Sequence, residues 1–331
     1  MASDLFCVMP CFLLGYSVVY SWLTYQLCWD WDVYLPYYSV TLSAEVFTLT
    51  RFLMVLPILF GLVYMTERNV KIRLKDIPAF LLAALVGISL YQTLFVASLR
   101  YTTASNSSLL IAMSPLFTVI GLLLTKKEKA TPTRVIGSFV AVMGVFMIKG
   151  LGDVPFQFSW DSLRGDIIAL LASMLFGIYP FTLTRLQKTY TALTITLYTA
   201  LFGSIFLAIY SGADWLRTDF TTLPVATWGS LLFAAYPVTA YSLVVWNYGI
   251  EKVGSSRVMP YMYLVPVTAI VIAMLWIDEG MNIWQACGAF FILLGVGVVR
   301  QGEQWLHGWK QRSSSKRQQP FSSFLSGDTR L

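Results

Sequence analysis

Residues 98–145 return 151 positions later as residues 249–296, and both copies lie in apolar runs long enough to cross a bilayer. One copy reads SLRYTTASNSSLLIAMSPLFTVIGLLLTKKEKATPTRVIGSFVAVMGV, the other GIEKVGSSRVMPYMYLVPVTAIVIAMLWIDEGMNIWQACGAFFILLGV. The shift sets Pro115 on Pro266, Glu128 on Glu279, Gly137 on Gly288 and Gly144 on Gly295. It also pairs Leu81 with Leu232, Ala84 with Ala235 and Ser105 with Ser256. A repeat of this kind in a polytopic membrane chain points to a solute path between two related halves.

A membrane helix needs about 20 apolar residues. Ten runs approach that length, near residues 6–28, 43–65, 77–99, 103–124, 133–149, 165–184, 191–210, 225–248, 253–275 and 281–299. Hydrophobic residues make up 57% of the chain and charged residues 12%, so almost nothing remains for a soluble domain. Lys and Arg are absent before Arg51, which argues against a cleaved signal peptide and for a retained first helix. After that run, Trp29, Trp31, Tyr34, Tyr37 and Tyr38 suit a headgroup-level aromatic belt.

The basic residues set the orientation. Of the 23 Lys and Arg, 18 fall in alternate loops and the tail. These are Arg68 to Lys75, Lys126 to Arg134, Arg185 and Lys188, Lys252 and Arg257, and the six from Arg300 onward. The opposite loops hold Arg100, Lys149, Arg164 and Arg217. The positive-inside rule then makes both termini cytoplasmic, as ten spans require. The fold expected is all-α: ten transmembrane helices as two five-helix repeats, residues 1–149 and 165–299. A disordered basic tail, residues 300–331, is expected to follow. Five is odd, so the second repeat enters from the opposite face and the halves are inverted. The net charge of +6 is the sum of these loops and needs no nucleic acid to explain it; anionic lipid is the partner it suits.

Enzyme chemistry finds little support. The lone histidine, His307, sits in the tail; HExxH, GxSxG and paired intramembrane acids are absent. No P-loop for ATP is present, so transport is expected to be facilitated or gradient-coupled. Cys7 and Cys11 share a helix face without a histidine or carboxylate nearby and read as small buried hydrophobes, not a metal site. No cofactor is implied. A channel or a lipid or xenobiotic translocator is the alternative class, although no filter-like loop or acidic ring occurs.

The segment SLRYTTASNSSLLIAMSPLFTVI, the charged loop with Glu128 and the fifth-run glycine pair resemble the EamA family of the drug/metabolite transporter superfamily. YMYLVPVTAI, Glu279, Gly288 and Gly295 repeat the pattern, joined by Arg51-Phe52 and GDIIALLASMLFGIYPF. The resemblance covers about residues 43–300. Leu14-Gly15 stands where that family often has Trp-Gly. The resemblance implies ten helices, a central cavity and movement of small metabolites, often amino acids, and we expect an exporter in the plasma membrane.

Gly137, Ala141 and Gly144 form one helix face, repeated by Gly288 and Gly295. Small residues let helices approach closely in lipid, so these stripes read as intramolecular packing, with a homodimer interface as the alternative. Pro115 and Pro266 interrupt equivalent runs and are the expected hinge or gating points. The cavity wall is expected to include Tyr91, Gln92, Asn106, Ser107 and Met113 from the first half. From the second half come Tyr179, Tyr236, Tyr241, Asn247, Met259, Tyr261 and Tyr263, an aromatic and hydroxylic set suited to an amphiphilic solute. Arg51 and Asp166 are intramembrane charges suited to recognition or coupling, with a structural role for Arg51 and helix capping for Asp166 as the competing readings. Glu45 is expected at a helix start, and Glu128 and Glu279 at loop–helix junctions.

Overall fold

The computed structural model describes residues 42–68, 71–102, 107, 110–125, 132–151, 160–264, 267 and 282–299. Among these residues all regular structure is helical. The first apolar run, the tail, Asn106, Glu128, Pro266 and Glu279 lie outside them.

The second run forms α1, Ala44–Glu67. Ser43 caps it, its Oγ accepting from Val46 N at 3.4 Å, and Glu45 lies in the first turn, where the helix dipole favours an anion. The third run forms α2, from Leu74 to Ser98. Its middle, Leu85–Leu90, is π-helical. Next come α3 (Ser114–Thr125), α4 (Pro132–Leu151), α5 (Trp160–Leu183) and α6 (Ala192–Arg217). The eighth run forms α7, built from Val225–Phe233, a π-helical Ala234–Tyr241 and Ser242–Val253. A short α8, Ser255–Val258, continues as a 3-10 helix over Met259–Leu264, and α9 covers Ile283–Val299. Five of the described helices are long and apolar enough to span a membrane: α1, α2, α5, α6 and α7.

The two π segments are equivalent under the repeat. Moving Leu85–Leu90 by 151 places gives residues 236–241, inside Ala234–Tyr241. In α7 the π segment contains Pro237, whose missing amide proton leaves the Phe233 carbonyl without its i+4 donor, and the Thr239 hydroxyl donates to the neighbouring Ala234 carbonyl at 2.8 Å.

Two expectations change here. The fourth run does not form one helix kinked at Pro115: residues 112–113 turn, and α3 starts afresh at Ser114. Pro115 therefore occupies a first turn, where the missing amide proton breaks no intrahelical bond. Asp166 does not cap α5, because that helix begins at Trp160. Its Oδ1 instead accepts from the Thr102 hydroxyl at 2.7 Å, joining α5 to the end of α2.

The glycine stripes meet within the chain. A Cβ on Gly137 would lie 2.6 Å from the Gly295 carbonyl, and one on Gly144 2.5 Å from the Gly288 carbonyl. Later residues of α4 therefore meet earlier residues of α9, so the two helices are antiparallel. Each glycine also meets the repeat-equivalent of the other, the reciprocal pattern of a two-fold contact.

At the end of the bundle that carries the basic loops, polar groups tie four helices together. Glu67 of α1 accepts from the Thr191 hydroxyl and from the Thr194 hydroxyl at 2.6 Å. Glu251 of α7 accepts from Ala192 N at 3.1 Å, so two carboxylates sit at the positive end of α6. Asp76 accepts from Arg185 at 3.3 Å and from the Tyr190 hydroxyl at 3.0 Å.

Gly254 joins α7 to α8 at φ 87°, ψ 153°, a region that side chains disfavour. Gly254→Ala is expected to destabilise the protein by about 1–3 kcal/mol. A thermal-unfolding scan of the purified variant checks this; an unchanged Tm would mean the junction relaxes freely.

Candidate functional site

A buried aromatic cluster draws on α2, α5 and α7 and on the 3-10 segment after α8. Tyr91 and Phe95 come from α2, Phe176 and Tyr179 from α5, Trp246 from α7, and Met259 and Met262 from the 3-10 segment. The Tyr91 and Phe176 rings lie 4.7 Å apart, and Phe176 stacks on Trp246 at 5.9 Å. Residues 176 and 179 share a helix face by their spacing, which turns both rings toward the same neighbours.

A buried polar chain crosses this cluster. The Tyr179 hydroxyl donates to Asn247 Oδ1 at 3.0 Å, and Asn247 Nδ2 donates to Thr196 Oγ1 at 2.9 Å. The Thr196 hydroxyl in turn donates to the Ala192 carbonyl at 2.7 Å. Tyr179 and Asn247 are each 1% exposed and Thr196 is fully buried. A polar path through an apolar interior is held only when each member is satisfied, and here three helices share the partners.

Of the twelve cavity candidates, Tyr91, Tyr179, Asn247 and Met259 come together in this region, with Tyr261 packed at its edge. Ser107 is buried nearby in sequence order, its hydroxyl 2.9 Å from that of Ser98. Gln92 and Met113 are half-buried. Tyr263 belongs to a separate cluster with α4 and α9, beside Ser138, and Tyr236 packs with α1 and α6. Tyr241 is half exposed. Pro115 is buried in α3. Phe176, Trp246 and Thr196 were absent from the sequence-based set. For Phe176 the i, i+3 spacing to Tyr179 was a usable signal; for Trp246, adjacent to Asn247, and for Thr196, one of several hydroxyls in an apolar run, there was none.

The charged candidates lie apart from this cluster. Arg51 is buried in α1 with its guanidinium carbon 5.3 Å from the Phe52 ring centre. Arg100 pairs with Glu45, linking the ends of α2 and α1. Beside the Thr102–Asp166 bond, Tyr101, Arg164, Ile167 and Ile168 line an open hollow of about 320 Å³. Among the described residues no group of three His, Cys, Asp or Glu side chains is placed to hold a metal.

The EamA-like transporter family model matches residues 31–150 and 163–301. The chain belongs to that family. It is therefore an integral membrane transporter of a small-molecule solute, and not an enzyme. An uncharacterized transporter of Bacillus subtilis, YyaM, is 27% identical over 87% of this chain and 93% of its own length. A probable terminal-alkyne amino-acid exporter of Streptantibioticus cattleyicolor is 29% identical, over 62% of this chain and 67% of its own. A crystal structure at 16% identity superposes with a TM-score of 0.71, over 89% of this chain and 97% of the other, which shows a shared fold.

Proposed function

We propose that this EamA-like chain is a secondary carrier that exports small amphiphilic metabolites, amino acids among them, from the plasma membrane by alternating access. The observation that carries the reading is the buried Tyr179–Asn247–Thr196 chain inside an aromatic cluster drawn from α2, α5 and α7. A largely apolar site with a few placed hydroxyls and an amide suits a solute with one polar and one apolar end. The name of the Streptantibioticus relative supports amino acids as the class to test first.

The architecture we propose is a ten-helix inverted repeat with cytoplasmic termini, residues 1–149 and 165–299 being the two halves. Three observations support it: the family match in two segments, the antiparallel reciprocal crossing of α4 and α9, and π segments at equivalent positions. Inverted halves allow one rocking motion to expose the site to each side in turn.

Counterflow in proteoliposomes with labelled amino acids, nucleosides and sugars tests the function. We expect labelled amino acids to accumulate and unlabelled competitor to abolish the signal. Accumulation of another class would replace the substrate, and conductance without saturation would replace the carrier with a channel.

A further inference from the structure

One side chain links the π segment of α2 to the half of α7 that follows its π segment. Gly87, inside Leu85–Leu90, has no Cβ, and the Tyr179 ring occupies that space; a Cβ there would lie 2.6 Å from Tyr179 Cγ. The hydroxyl of the same ring bonds Asn247, six residues beyond the π segment of α7. On its other side the α2 segment is fixed by Ile88, which fills the space over Gly203 of α6.

A π turn contains one more residue than an α turn. Relaxing it to α shifts the register beyond it by one residue, a rotation of about 100°. Relaxation in α2 would replace Gly87 under the Tyr179 ring with a residue that carries a Cβ. Relaxation in α7 would swing Asn247 away from the Tyr179 hydroxyl. Tyr179 therefore meets both partners only when both segments are π-helical.

We propose that Tyr179 is a positioning residue that holds the two repeat-equivalent π segments in register together, so that α2 and α7 change register as a pair when its ring is released. The proposal rests on the transporter reading and assigns the moving parts to these segments rather than to Pro115 and Pro266. It also explains why the deviation from α-helix falls at the same repeat position in both halves, although only α7 carries a proline there.

The test uses the full chain in lipid nanodiscs and amide hydrogen exchange followed by mass spectrometry. Tyr179→Phe keeps the ring over Gly87 and removes only the hydrogen bonds of its hydroxyl, to Asn247 and to Thr199 of α6. Buried side-chain hydrogen bonds in membrane proteins are strong enough that their loss should raise exchange by about 3- to 30-fold. The increase is expected in Leu85–Leu90 and Ala234–Tyr241 together, with α4 and α9 unchanged. Ser173→Ala is the comparison: it breaks a buried 3.1 Å bond between Ser173 and Ser114 that touches neither segment, and should leave both as they were. Faster exchange in only one segment, in neither, or equally in every helix would overturn the proposal, as would the same response from Ser173→Ala. No solute enters this measurement, so a flat counterflow result would count against the carrier reading alone.

Discussion

Gly144→Leu is expected to prevent α4 and α9 from closing and to reduce the yield of folded, monodisperse protein several-fold. A Cβ at this position would already stand 2.5 Å from the Gly288 carbonyl oxygen and 2.7 Å from Ile292 N, both backbone atoms that no rotamer change can move. Overpacking typically costs about 1–3 kcal/mol, and here the whole helix must withdraw, so the upper end or more is expected. Removing a helix glycine stabilises by about 1 kcal/mol at most, too little to compensate. Gly297, in the same α9, has nothing within 4 Å of an added Cβ, so Gly297→Ala should leave the yield level or raise it. Size-exclusion profiles of the two variants decide the matter. Equal profiles would show that the crossing tolerates separation and is not a close backbone contact.

The second large effect is expected at Asn247. Asn247→Ala removes the acceptor of the Tyr179 hydroxyl and the donor to Thr196 at one stroke, in a place that water does not reach. Each buried polar group left unsatisfied costs about 1–3 kcal/mol, so Tm should fall distinctly. If Asn247 also contacts solute, apparent affinity in counterflow should fall by about tenfold, since about 1.4 kcal/mol is one decade. Preserved affinity in a variant whose Tm has dropped would make Asn247 a structural member of the bundle and remove it from the recognition site.

Much of this molecule is legible without coordinates, and the reason lies in the bilayer. Helix placement follows from the cost of unpaired backbone groups in hydrocarbon, and that cost is read residue by residue from hydropathy. That Gly137 and Gly144 mark a close helix contact was legible for a related reason. Only small residues permit close backbone approach, so a glycine stripe marks a contact before its partner is known.

The partners of most other side chains were not legible. In α6, Leu207 is 3% exposed and Ile209 78% exposed, yet both are aliphatic and neither position betrays its surroundings. The bilayer accepts apolar residues on the outer face as readily as the core does, so the usual polar–apolar contrast that fixes a helix's rotation is missing. Asp166 illustrates the result: its charge was visible, but its bond to Thr102 depends on how α2 and α5 are turned. Thr196 is a plainer case, one hydroxyl among several until Asn247 selects it.

By itself, the sequence determined that this chain lives in a membrane, that it is doubled, that it resembles a transporter family and which helices carry a glycine face for close packing. Tertiary structure alone decided that Trp246 and Thr196 join Tyr179 and Asn247, and that α2 and α7 widen to π at matching places. The division has one physical cause. Partition into lipid is a property each residue carries with it, whereas rotation about a helix axis in an apolar solvent is settled only by the neighbours it meets.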